Sequence, residues 1–159
     1  MFEVVVDEKR KHKGVDIKLP QRATKSACAY AIYSPINIVI PVGCSVMIWT
    51  DVKVKLAGNQ ICVLNVLSSM RKNNIVLDNN RGWLDADYYN NECNEGNIWI
   101  NLFNFGKKPY EIKAGDRIAQ AVIVKFDTFY DNVETVCKEN SKSFRLYIRR
   151  FDRYIRRNR

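Results

Sequence analysis

Between Ile36 and Val124 the apolar residues fall in short runs, each closed by a turn signal, at the spacing of strands rather than helices. Ile36 to Ile40 carries one polar break and ends at Pro41-Val42-Gly43, and Val46 to Trp49 follows. Val52, Val54 and Leu56 then alternate with Lys53 and Lys55, the period of a half-buried strand. After Ala57-Gly58-Asn59 comes a nearly continuous apolar run, Ile61 to Leu67, and Ile75 to Leu77 and Ile98 to Leu102 are further strand candidates. Lys107-Lys108-Pro109 breaks the pattern, Tyr110 and Ile112 alternate, Ala114-Gly115-Asp116 turns, and Ile118 to Val124 closes the series. Many short strands with turns at this spacing predict an all-β sandwich or barrel, and the absence of βαβ alternation disfavours a parallel α/β sheet.

Past Asn140 the period changes. Phe144, Tyr147, Ile148, Phe151, Tyr154 and Ile155 follow i, i+3, i+4, i+7 spacing, while Arg145, Arg149, Arg150, Arg153, Arg156 and Arg157 take the other faces. This predicts a basic amphipathic helix over 141–159. The division expected is a β domain over 1–126, a polar connector over 127–140, and the helix.

The length of 159 residues suits one domain with a short extension, and 47% hydrophobic content is enough for a buried core. Charge sharpens the division: residues 141–159 carry eight Lys or Arg against one acid, so +7 of the total +9 sits in the tail and the body is nearly neutral. No run nears the ~20 apolar residues that span a bilayer, and no apolar segment follows the first charges, so neither a membrane span nor a secretory signal is expected. Five widely spaced cysteines without a CxxC pair, and His12 as the only histidine, argue against a zinc site and for free thiols in a reducing cytoplasm. Cys44 and Cys62 lie in apolar runs and are expected to be small core residues.

Four motifs fall in one order. Leu19-Pro20-Gln21-Arg22-Ala23-Thr24-Lys25-Ser26 with Tyr30 resembles the "LPxRATxxSAGYD" opening of the dUTPase family, and Leu67-Ser68-Ser69-Met70 resembles its "RSSL". Asn79-Asn80-Arg81-Gly82-Trp83-Leu84-Asp85-Ala86-Asp87-Tyr88 resembles "NxxGxIDxDY", and Gly115-Asp116-Arg117-Ile118-Ala119-Gln120 resembles the fourth motif. Tyr89 to Gly96 looks like a variant stretch found in low-GC bacteria and their phages. The resemblance covers about two-thirds of the chain. It implies a jelly-roll-like β core in a homotrimer whose active sites draw on several chains. The reaction it implies takes dUTP and water to dUMP and diphosphate, with Mg2+ on the substrate phosphates.

Carried over position by position, the resemblance makes Asp85 the catalytic carboxylate that orients and deprotonates water. Tyr88 would lie under the deoxyribose and exclude a 2′-hydroxyl, Asn79 would help hold uracil, and Gly82 would let backbone approach the base. Ser68 and Gln120 would be neutral phosphate contacts. Four of them have a plainer reading: Asp85 as a turn aspartate, Asn79 as half of a turn Asn-Asn pair, Ser68 as a loop serine and Gln120 as a strand-edge glutamine. Trp83, where the family has a smaller residue, either crowds the pocket or fills core.

Three departures fall on the phosphate side. Ala31 stands where the family has a carboxylate facing the metal's water shell, and Leu67 stands where it has a phosphate-binding arginine. No glycine occurs beyond Gly115, so the family's glycine-rich closing arm is missing. Leucine offers neither charge nor donors to a triphosphate, and phosphoryl transfer depends on positioning and charge neutralisation. The sequence therefore predicts a deoxyuridine-nucleotide-binding protein with weak or lost hydrolysis. The alternative is a non-catalytic scaffold that binds protein or nucleic acid through its arginine-rich tail. For the tail, packing on the trimer, nucleic-acid or neighbouring-chain phosphates, and an anionic membrane surface all fit. A dCTP deaminase shares the fold, but its glutamate pattern is not evident.

Overall fold

The computed structural model describes residues 1–128, and these are almost entirely β. In chain order the strands are β1 (Phe2–Val4), β2 (Gln21–Arg22), β3 (Ala29–Tyr33), β4 (Ile38–Ile40), β5 (Ser45–Trp49), β6 (Val52–Val54) and β7 (Gln60–Asn65). A single helical turn, α1 (Ser68–Lys72), precedes β8 (Ile75–Leu77), β9 (Gly82–Leu84), β10 (Trp99–Asn104), β11 (Tyr110–Ile112) and β12 (Arg117–Lys125). Every pairing is antiparallel. The largest sheet has the order β2-β3-β12-β7-β9, a second has β5-β10-β8, and β1-β6 and β11-β4 form short ribbons.

The faces turned inward carry Ile32, Ile40, Ile48, Ile75, Leu102 and Ile118, each at most 1% exposed. β-branched side chains dominate because they suit a pleated surface packed on one side. The all-β class expected from periodicity is what the chain forms, and the strands at 75–77 and around Tyr110 and Ile112 lie where alternation put them. The helix expected over 141–159, its six arginines, and residues 129–140 of the connector lie outside the described residues.

Three local expectations are corrected. The run Ile61 to Leu67 is not strand throughout: β7 stops at Asn65, and Leu67 becomes the residue capping α1 while packing against the core. Cys44 is exposed, because it sits in the turn before β5 with its N–H bonded to Pro41 O (3.2 Å); only Cys62 is a core thiol among the described cysteines. Lys53, on the polar beat of the alternation, is only 6% exposed, because Glu95 and Asn90 arrive from a distant loop to pair with its ammonium.

Candidate active site

Two strands joined by a short turn would ordinarily pair with each other, but β8 and β9 do not. β8 pairs with β10 and β9 with β7, so the turn at 78–81 bridges two sheets and its arms splay apart. The turn is held by Asn80 in the left-handed region (φ +62°), by Asn80 N–H to Leu77 O (3.0 Å), and by Asp78 N–H to Asn101 O (2.9 Å). Asn79 sits at this open end with an exposed side chain. Asn101 donates to Asp78 Oδ2 (2.8 Å), and its own buried Oδ1 has no partner.

β9 then runs away from the turn. Gly82 is opposite Leu64, and a Cβ at Gly82 would stand 2.9 Å from Leu64 Cδ1, so the glycine lets β9 close on β7. Trp83 is 59% exposed and does not fill core; it stands beside Val63 on the outward face of the sheet. Asp85 follows in extended conformation (φ −81°, ψ 167°), exposed, with no hydrogen bond or ion pair to its carboxylate among the described residues. A single 3₁₀ turn, Ala86–Tyr88, then brings Tyr88 back over the start of the next loop.

Tyr88 is half buried and its hydroxyl is fully used. It donates to Asn97 O (3.0 Å) and accepts from Asn94 Nδ2 (2.9 Å). Burial raises its pKa above the ordinary phenol value, so the ring is held as neutral phenol. Asn91 Nδ2 binds Tyr88 O (2.8 Å) and Asn94 Oδ1 (2.7 Å), and Asn97, fully buried, exchanges two hydrogen bonds with Asp51. The loop is also tied to the N-terminal segment, since Val6 N–H donates to Glu95 Oε2 (3.0 Å). None of these supporting residues was assigned a role from sequence. The signal was present as asparagines recurring every three residues at 91, 94 and 97, the spacing of successive side-chain-to-backbone turns.

Ser68 and Gln120 lie elsewhere. Gln120 is half buried on β12 between Asn65 of β7 and Ala31 of β3, and Ser68 opens α1 just beyond Asn65. The ladder puts Asn65 next to the 78–81 turn, whereas Asp85 lies level with Ile61, about 13 Å along the strand. One chain therefore groups Asn79, Ser68 and Gln120 near one end of β9 and Asp85 with Tyr88 at the other. Ala31 is half buried beside Gln120, so position 31 turns no carboxylate to that row; with Leu67 against the core, position 67 brings no guanidinium to it. Among the described residues no group of three or more His, Cys, Asp or Glu could hold a metal ion.

The dUTPase family model matches residues 15–145. The dUTPase of Lactococcus lactis is 33% identical over 126 residues, covering 79% of this chain and 81% of that protein. The structure of the Streptococcus mutans dUTPase superposes with a TM-score of 0.71 at 31% identity, over 82% of this chain and 98% of that one. A mutant dUTPase from phage phi11 of S. aureus, solved for its coordination of a structural Mg(II) ion, has the same fold (TM-score 0.65, 22% identity, 86% and 97% coverage).

Proposed function

Since this chain belongs to the dUTPase family, we propose that it binds deoxyuridine nucleotides and hydrolyses dUTP to dUMP and diphosphate weakly or not at all. The observation that carries this is a contrast between two groups of residues: Asp85 is exposed and unpaired three residues before the clamped Tyr88, while on the phosphate side positions 31 and 67 offer only Ala and Leu. Uracil would enter the splayed turn at Asn79, and the deoxyribose would rest on Tyr88. With its hydroxyl spent on Asn97 and Asn94, Tyr88 has only its ring to offer the sugar, and a flat ring in contact leaves no room for a 2′-hydroxyl. Asp85 has a free carboxylate to orient a water and take its proton as the water attacks phosphorus. Ser68 and Gln120 would supply neutral contacts to the phosphates. Magnesium belongs to this reading as a partner of the substrate's phosphates.

A homotrimer fits the same reading. Ser68 and Gln120 cannot reach Asp85 within one chain, so a neighbouring copy would supply them. The outward face of the large sheet carries exposed Trp83 (59%) and Val124 (43%) beside Ile61, Val63 and Val122, an apolar surface suited to burial against another copy. The second reading, a scaffold acting through its tail on protein or nucleic acid, is favoured by one observation, the concentration of +7 in residues 141–159.

The test measures diphosphate release from dUTP with magnesium and dUMP binding on one sample. dUMP binding with turnover far below that of an ordinary dUTPase is expected. Turnover at the ordinary level, or no binding of dUMP, would refute the proposal.

A further inference from the structure

Asp51 lies between β5 and β6 with a positive φ of 54° and 0% exposure. Both features are costly: a non-glycine residue in the left-handed region is strained, and a buried carboxylate must recover its hydration from the protein. A tight link between strands needs only Gly or Asn at such a φ, so the charge itself calls for an explanation. Asp51 Oδ1 accepts from the N–H of Lys11 (2.9 Å) and from Asn97 Nδ2 (2.8 Å), and Oδ2 accepts from the N–H of His12 (2.8 Å). Arg10 Nε stands 3.8 Å away as a countercharge. In return the N–H of Asp51 donates to Asn97 Oδ1 (3.0 Å), closing a two-bond lock on the Asn97 amide. The carbonyl of that same Asn97 receives the Tyr88 hydroxyl.

The geometry points to Asp51 as a positioning residue for nucleoside recognition: acting through Asn97, it fixes the plane of the Tyr88 ring and so sets discrimination between deoxyribose and ribose. This rests on the reading above that Tyr88 lies against the sugar. Asp51 is the only partner of Asn97 Nδ2 among the described residues, so losing the carboxylate leaves the amide held by one bond, from the N–H of residue 51 to Oδ1. With half of its lock gone, Asn97 would hold its carbonyl less firmly, and the Tyr88 ring, left to rely more on Asn94, could tilt. A tilted ring opens space beside C2′, where it need not weaken contact with the base. The expected signature is therefore a loss of selectivity out of proportion to any loss of affinity for the deoxynucleotide. The carboxylate also joins three segments distant in sequence, since residues 11, 12 and 97 all donate to it.

The experiment compares dUMP and UMP binding by calorimetry on the full chain for the unaltered protein, Asp51→Asn and Tyr88→Ala, with melting temperatures alongside. Asp51→Asn keeps the volume but turns an amide N–H toward backbone donors. It is expected to lower the dUMP-to-UMP affinity ratio by about tenfold, the effect of one misplaced hydrogen bond. The double variant Asp51→Asn/Asn97→Asp restores a donor–carboxylate pair between the two positions and should recover the ratio. If Asp51→Asn lowers only the melting temperature while Tyr88→Ala abolishes selectivity, Asp51 is merely structural and the inference is overturned. If Tyr88→Ala itself leaves the ratio unchanged, or the unaltered protein binds neither nucleotide, the site reading fails and this inference with it. Should Asp51→Asn not fold, Asn97→Ala keeps the carbonyl that Tyr88 uses but removes its lock, and the same loss of ratio is required of it.

Discussion

Gly96 gives the sharpest test of how the loop behind Tyr88 is built. It has φ +79°, and a Cβ there would stand 2.7 Å from Tyr88 O, 3.1 Å from Tyr89 Cα and 3.2 Å from Asn90 N. All three are backbone atoms, so no flexible side chain can yield. Gly96→Ala incurs about 1–2 kcal/mol for the left-handed conformation alone. Displacing the Tyr88 carbonyl breaks its bond from Asn91 Nδ2, which adds about 1 kcal/mol, and overpacking against backbone adds about 1–3 kcal/mol. The expected loss is about 3–6 kcal/mol. Gly14 is an internal control, because it has nearly the same φ (+77°) and nothing within 4 Å of an added Cβ. Gly14→Ala should therefore show only the conformational cost, about 1–2 kcal/mol. Both are read from urea unfolding midpoints at constant m-value. Equal destabilisation of the two variants would show that the close approach at Gly96 does not constrain the loop, and the account of Tyr88 as a clamped ring would go with it.

Asn104, fully buried, donates to Ile40 O (2.9 Å) and Lys108 O (2.8 Å) and accepts from Gly106 N–H (2.9 Å); Asn104→Ala should lose about 3 kcal/mol in urea unfolding, since it leaves three backbone groups unpaired. Burial pushes the Cys62 thiol up from 9.0 to about 12, so between those values the unfolded chain ionises first and stability falls with rising pH by about 1.4 kcal/mol per unit from this group. Cys62→Ala should shallow that alkaline decline, and an unchanged slope would exclude the thiol as its source. Alkylation of the folded protein at pH 8 followed by mass spectrometry should label Cys28, Cys44 and Cys93 and spare Cys62. If the tail binds nucleic acid, deleting residues 141–159 should abolish binding and its steep salt dependence; binding unaffected by the deletion would remove the tail from that role.

The linear order of residues settled the β class, because alternation and turn dipeptides are local and each strand's inward face can be counted off in twos. It settled the family too, since Gly82-Trp83-Leu84-Asp85 and Gly115-Asp116-Arg117 are contiguous motifs that need no folding to be recognised. The same contiguity exposed the missing charges at Ala31 and Leu67. What it could not supply was anything that depends on which distant segments meet. Lys53 sits on the polar beat of its strand, and only the arrival of Glu95 makes it a buried ion. Cys44 lies among apolar neighbours, and only the turn beneath it leaves it in water. The splaying of β8 from β9 follows from their pairing with different sheets, a choice made by β7 and β10 rather than by the turn between them. The chain of bonds from Lys11 and His12 through Asp51 and Asn97 to Tyr88 exists only when segments dozens of residues apart are brought within hydrogen-bond reach. Pattern is a property of neighbours in sequence, and a recognition site is a property of neighbours in space.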